Sequence, residues 1–483
     1  MKNSSKLERG LGQRQMEMIA IGGCIGTGLF MGSGKTISLA GPGIIFIYAI
    51  TGIILYFVMR AMGELLLHDL KYKSFIDFSE DILGPNAGYM VGWSYWFAWI
   101  VAAIAEIIAI TGYFSFWFPD LPHWISAFAI IFLLLTLNIL SVKAFGELEF
   151  WMAIIKVVAI IFLIILGIYL CFTGFVSPTG IKAQASNLWT NGGFMPHGFT
   201  GLLAGLQTTI FAFAGMEVIG TMTAEAKNPK VMLRKAIDKI PIRIMFFYIG
   251  TVIVLMAVTP WNKIPADQSP FVGMFTLVGM ASAASIVNLV VISSATSSSN
   301  SGIYATSRML YGLSKNHHAP AIFGKLSDFK IPTGGIFLAT ALILSATFIL
   351  TNTKSMMDAF ELVGTVAALI FIYIWSMIIF AYLAYRRRMP AAHAKSQFKM
   401  PLSNIMPYVI LLFFIVVIYA LTLNQGTRIA MYFLPLWFIT LYILYWIKTH
   451  NSPNQRRFIA NFKAKVIAQT KAANKYRAKL NNR

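Results

Sequence analysis

Apolar runs of about 20 residues, the length that crosses the hydrocarbon core of a bilayer, recur from one end of this sequence to the other. Twelve lie at about 16–37, 42–66, 88–117, 123–142, 150–173, 199–224, 240–260, 271–300, 335–351, 358–384, 404–423 and 428–447, and are called spans 1 to 12 below. Barrel strands alternate in polarity and cross in about ten residues, so continuous runs of this length mean helices. The composition agrees: 12% charged residues, against about 25% in a soluble domain, leaves too little polar surface for a water-facing globule. The expected class is an all-α integral membrane protein with twelve transmembrane helices. A polar segment precedes the first run, so no cleavable signal peptide is expected. Cys24 and Cys171 fall inside expected helices and give no disulfide framework.

The formal net charge of +21 raises the question of nucleic-acid binding, and its distribution argues against it. With the N-terminus inside, the inner segments hold 32 of the 39 Lys and Arg residues. That asymmetry is the positive-inside rule and puts both termini in the cytoplasm of a bacterial inner-membrane protein. The expected organisation is a cytoplasmic segment at 1–15, a transmembrane domain at 16–447 and a basic cytoplasmic tail at 448–483. The tail is expected to be solvated or disordered, with an anionic lipid surface as the alternative.

No loop is long enough to form a catalytic domain. Gly32 to Thr36 resembles the end of a phosphate-binding loop, but the glycine that motif requires at position 29 is Leu29. No metal-binding His pair or nucleophile elbow is present. The chain is not expected to be an enzyme, and no cofactor or metal is expected. Function must lie between the helices.

Two spans carry the signal. Span 1 has six glycines among the fourteen residues Ile21 to Gly34, and span 6 has Gly215, Gly220 and the carboxylate Glu217 within Phe211 to Gly220. Glycine costs about 1 kcal/mol per interior helical position, so these stretches, Gly22–Gly28 and Phe211–Gly220, are expected to unwind. Gly-interrupted spans at matching places in two halves are the sequence mark of a transporter built from inverted repeats. Spans 1–5 (about 16–173) and 6–10 (about 199–384) form the two five-span units, with spans 11 and 12 (about 404–447) added. Unwound backbone is tolerable at membrane depth only around a cavity or ligand. A half-helix starting near Gly26, Thr27 and Gly28 offers N–H groups to a substrate carboxylate. Free carbonyls at Ile21, Phe211 and Ala214, beside Gly215, would accept from an ammonium. Together they describe a receptor for an α-amino acid.

Span 1, the stretch Phe30 to Pro42, Met59 to Glu64, Ser269 to Phe271 and Ser307 to Leu310 resemble the bacterial amino acid transporter family of the amino acid–polyamine–organocation superfamily. The resemblance runs from about residue 10 to 447 and is nearest to members that carry D-serine, D-alanine and glycine. It implies a leucine-transporter-like 5+5 inverted repeat with helices 1 and 6 broken, proton symport of small neutral amino acids, and substrate contacts at Gly26, Thr27, Gly28 and Phe211 to Gly215. It also gives meaning to Lys156 in span 5: a lysine reaching the place where sodium-coupled relatives hold a cation would exclude sodium and carry the coupling proton. A fixed structural cation is the alternative. Glu217, in the span 6 break, is a candidate proton carrier or a carboxyl held by free N–H groups. Glu106 in span 3 is a candidate for the substrate amine or the proton path. Arg60 and Glu64, one turn apart, are expected to form a local ion pair. Eight polar residues occupy nine positions between Ser293 and Ser301 in span 8 and are expected to face span 5. An exchanger, a symporter of another neutral amino acid and an amino acid-sensing receptor remain open; the receptor lacks a signalling domain.

Overall fold

The computed structural model describes residues 13–139, 142–221, 228–277, 279, 281–353, 355–451 and 453–481. Most of the expected N-terminal segment, residues 1–12, lies outside them. The named elements among the described residues are all helices, and one isolated bridge joins Val176 and Lys182. In lipid every backbone polar group must find a partner inside its own segment, which is why the apolar runs are helices.

Among the described residues, eight helices are long and apolar enough to cross a membrane: Gly32–His68, Pro85–Phe114, Phe145–Thr173, Lys230–Val258, Thr333–Asn352, Met356–Arg388, Met406–Leu423 and Gly426–His450. The other expected spans are helical but depart from that simple form. Spans 1 and 6 are interrupted, and span 4 is a 16-residue helix, His123–Asn138. Span 8 divides into Pro270–Leu277 and the 35-residue Ala281–Lys315, whose run of serines lowers its hydropathy. Span 7 begins well before residue 240, at Pro229, because the basic residues that suggested a loop extend the helix.

Burial separates a centre from a rim. The most apolar stretch of Pro85–Phe114 is 83% buried, against 28% for Phe145–Thr173 and 17% for Gly426–His450. Pro85–Phe114 packs between Ala281–Lys315 and Met356–Arg388, and Gln13–Cys24 lies against Val142–Thr173 and Ala281–Lys315.

Both breaks exist but are narrower than the glycine clusters suggested. Helix Gln13–Cys24 stops, Gly26 is extended (φ −131°, ψ −156°), and helix resumes at Thr27. In span 6, Gly198–Ala212 gives way to a turn before Val218–Thr221. Gly22 and Gly23 stay helical; a Cβ on Gly22 would sit 3.4 Å from the Ala153 Cβ, so this glycine serves close packing. Two others are dictated by the breaks. Gly215 has φ +103° and a Cβ there would lie 2.7 Å from the Gly23 carbonyl oxygen, while one on Gly28 would lie 2.5 Å from the Ala212 Cα. The two broken segments thus touch backbone to backbone.

Two further expectations are corrected. The tail is not disordered: Pro453–Asn481 is a largely exposed helix that packs on Met356–Arg388 and Pro390–Lys395. Lys465 pairs with Asp81, and the Phe462 ring covers Gly84. Arg60 does not pair with Glu64. Arg60 bonds Asp238 and the Lys399 carbonyl, whereas buried Glu64 accepts from Tyr382 Oη (2.9 Å) and Met400 N (2.9 Å) and lies 2.7 Å from His393 Nδ1. Arg60 thus ties its helix to Pro229–Val258, and Arg60 and Glu64 both tie it to the segment after Arg388.

Candidate functional site: two broken helices

Ending a helix leaves carbonyls without N–H partners, and the span 1 break shows where they go. Lys156, fully buried, donates from Nζ to Gly22 O (2.5 Å) and Ile25 O (3.0 Å). Ser294 Oγ donates to the same Ile25 carbonyl (2.8 Å), and Ser298 Oγ reaches Gly23 O at 3.5 Å. The serine-rich stretch therefore faces the break, sharing its carbonyls with Lys156. The hydroxyl of Tyr248 lies 2.8 Å from Cys24 O and 2.7 Å from Ala212 O, joining the C-terminal ends of both half-helices through one group.

The other side of the break faces a carboxyl. The Thr27 N–H donates to the Glu106 carboxyl, 3.3 Å from Oε1 and 3.2 Å from Oε2. Glu106 thus sits where a substrate carboxylate was expected, with Gly26 leaving the room: a Cβ there would be 2.3 Å from Oε1. Two of the expected free carbonyls already have partners, since Ile21 O accepts from Ile25 N (3.0 Å) and Phe211 O from Ala214 N (3.2 Å). A carbonyl keeps a second lone pair for a ligand.

In the span 6 break, Glu217 Oε2 accepts from Gly215 N (3.2 Å) and Trp375 Nε1 (3.3 Å). Its Oε1 is buried without a hydrogen-bond partner among the described residues. Phe211 packs on Gly364 and edge-on against Phe360, at 5.8 Å between ring centroids. Ala214 is buried beside it.

Three residues escaped sequence reasoning. Tyr248 and Trp375 are aromatic residues in apolar helices and look like packing. Glu149 fell one residue outside the predicted start of span 5, but the helix starts at Val142 and places Glu149 two turns before Lys156 on the same face. Its carboxyl accepts from Ser297 Oγ (2.8 Å) and Asn300 Nδ2 (2.6 Å), and Asn138 Nδ2 donates to Asn300 Oδ1 (2.7 Å). Lys156 lies within electrostatic reach of both Glu149 and Glu106. A buried cation is tolerable when charge partners and hydrogen bonds surround it. Among the described residues no three His, Cys, Asp or Glu side chains cluster as a metal site.

The family model for amino acid permeases matches residues 15–457. The D-serine/D-alanine/glycine transporter of Escherichia coli (strain K12) is 51% identical over 435 residues, covering 90% of this chain and 93% of the relative. The amino-acid permease AapA of Bacillus subtilis (strain 168) is 43% identical over 92% of this chain and 96% of its own length. The aromatic amino acid transport protein AroP of Escherichia coli O6:H1 is 38% identical over 92% and 97% respectively. The chain belongs to the amino acid permease family and is a multi-pass membrane protein of amino acid transport.

Proposed function

We propose that this amino acid permease imports small neutral amino acids, of the kind glycine, D-alanine and D-serine, across the bacterial cytoplasmic membrane by proton symport. The working architecture is twelve spans with both termini inside, spans 1–5 and 6–10 forming an inverted repeat. The observation that carries coupling is Lys156 Nζ on the carbonyls of Gly22 and Ile25. An ammonium in that position supplies the positive charge that a sodium ion would otherwise bring, so the coupling ion is the proton that Lys156 holds or releases.

Substrate recognition follows from the break on either side. The substrate carboxylate takes the N–H groups at Gly26, Thr27 and Gly28, which requires Glu106 to give up Thr27 N. Protonation of Glu106 weakens its hold and makes binding and proton uptake one event. The ammonium meets main-chain oxygens of Ile21, Phe211 and Ala214 beside Gly215. Phe211 against Phe360 walls the side-chain end and keeps the substrate small. The relatives named for D-serine/D-alanine/glycine and for aromatic amino acids both align over nine-tenths of this chain. This supports a shared frame that reads the amino and carboxyl groups and a separate wall that reads the side chain. The 51% identity with the first of these favours its substrates. Glu217 is a second proton carrier or gate in span 6.

One proton entering with a zwitterion moves one charge, worth about 2.3 kcal/mol per 100 mV, or roughly fortyfold accumulation. The test is uptake of labelled glycine, D-alanine and D-serine into proteoliposomes under an imposed pH gradient or an imposed sodium gradient. Accumulation must follow the pH gradient and ignore sodium; the reverse would refute proton symport, and exchange alone would show as uptake that depends on internal amino acid.

A further inference from the structure

The cavity that stands apart from the transport site lies at the ends of Met356–Arg388 and Met406–Leu423, under the tail helix Pro453–Asn481. It encloses about 840 Å³, and Arg386, Arg387, Arg388 and Arg477 all line it. No acidic side chain is among its lining residues, and none of the four arginines is in an ion pair among the described residues. Their hydrogen bonds go to neutral oxygens. Arg386 bonds the Ser403 carbonyl and the Asn404 side chain, Arg388 donates to Ile82 O (2.5 Å), and Arg477 donates to Arg387 O (3.0 Å). Arg386 Nε is buried with no partner at all among the described residues.

Four guanidiniums, charged at any working pH, repel one another across a cavity whose lining has no acidic side chain to offset them. A phosphate is the complementary ligand, because the guanidinium fork matches its oxygens two at a time. The remaining wall says where the phosphate comes from. Leu383 and Tyr408 also line the cavity, and from Tyr408 an exposed stripe, Leu412, Ile415 and Tyr419, runs along the apolar helix Met406–Leu423. An acyl chain laid on that stripe brings its headgroup to the arginines.

We propose that this cavity binds the phosphate of an anionic phospholipid and that the bound lipid fastens the tail helix to the transmembrane core. The inner leaflet supplies such lipids, and basic segments at a membrane surface gather them. Arg477 is the tail's own contribution, so the tail and the core each hold part of the ligand.

The test titrates the purified full chain in detergent with phosphatidylglycerol, phosphatidylcholine or inorganic phosphate, read by native mass spectrometry and by Tm. Phosphatidylglycerol is expected to bind and raise Tm, and phosphatidylcholine to do neither. The double variant R387Q/R477Q is expected to bind phosphatidylglycerol at least about tenfold more weakly, the loss of charged hydrogen bonds. K471Q/K475Q removes the same charge from the exposed side of the tail helix and is expected to bind as the unaltered chain does. Should R387Q/R477Q fail to fold, R387K/R477K keeps the charge, loses the forked geometry and must still bind more weakly. Equal binding of the two lipids, or unchanged binding by the arginine variants, overturns the site. Inorganic phosphate binding as tightly as phosphatidylglycerol overturns the lipid as its source.

Discussion

The two broken helices solve the same problem with different charges. In span 1 the C-terminal end of the first half-helix meets an ammonium, Lys156, and the N–H at the start of the second meets a carboxyl, Glu106. In span 6 the carbonyl end at Ala212 meets the neutral hydroxyl of Tyr248, and the turn is held by Glu217. Each arrangement complements the helix dipole, positive at a helix start and negative at its end. The first break therefore faces an ionisable side chain at both ends and the second at one. The proposed proton coupling is therefore assigned to span 1, where a lysine and a carboxyl both face the same few residues; in span 6 a single carboxyl has one oxygen left over.

The largest effect is expected from Lys156→Ala. It removes the cation and leaves the Gly22 carbonyl without its ammonium partner, so accumulation under a pH gradient and potential should fall from roughly fortyfold per 100 mV to equilibration. Transport assays in proteoliposomes read this directly. Next comes Gly28→Ala set against Gly26→Ala. The first places a Cβ against the Ala212 backbone and the second against the movable Glu106 side chain. Glycine affinity, measured by calorimetry, should fall about tenfold more for Gly28→Ala; equal losses would mean that the breaks do not press backbone to backbone.

Glu106→Gln keeps an oxygen for Thr27 N–H but cannot gain or lose a proton. Binding should stay within about threefold, under 1 kcal/mol, while uptake loses its response to external pH. Tyr248→Phe removes the one hydroxyl shared by Cys24 O and Ala212 O. A stability loss of about 1–3 kcal/mol, seen as a lower Tm with substrate specificity unchanged, is expected. Glu217→Gln should have the smallest effect, lowering uptake less than about tenfold. A larger loss than for Lys156→Ala would reverse the comparison and move coupling to span 6.

Much of this was legible in the sequence, for physical reasons that also explain the omissions. A lysine in an apolar run and six glycines in one span are each costly in lipid, so they announced the Lys156 site and the span 1 break. The breaks came out narrower than expected because a glycine that packs against a neighbour, as Gly22 does, reads the same as one that unwinds. Glu149 was missed because apolarity marks where a membrane begins and not where a helix begins. Helix Pro229–Val258 was cut short for the same reason. Glu106 was placed in the cavity, but only the folded chain shows it on Thr27 N, a contact 79 residues apart in sequence. The tail helix was invisible to hydropathy, being basic along its length and held by contacts to the core.

The most direct measurement is proton entry itself. Proteoliposomes with an entrapped pH-sensitive dye receive glycine from outside with no imposed gradient, and internal pH is followed. The expected result is acidification that starts with glycine in the unaltered protein and is absent in Lys156→Ala. Glycine entry without acidification, or acidification undiminished in Lys156→Ala, would contradict coupling through the first break.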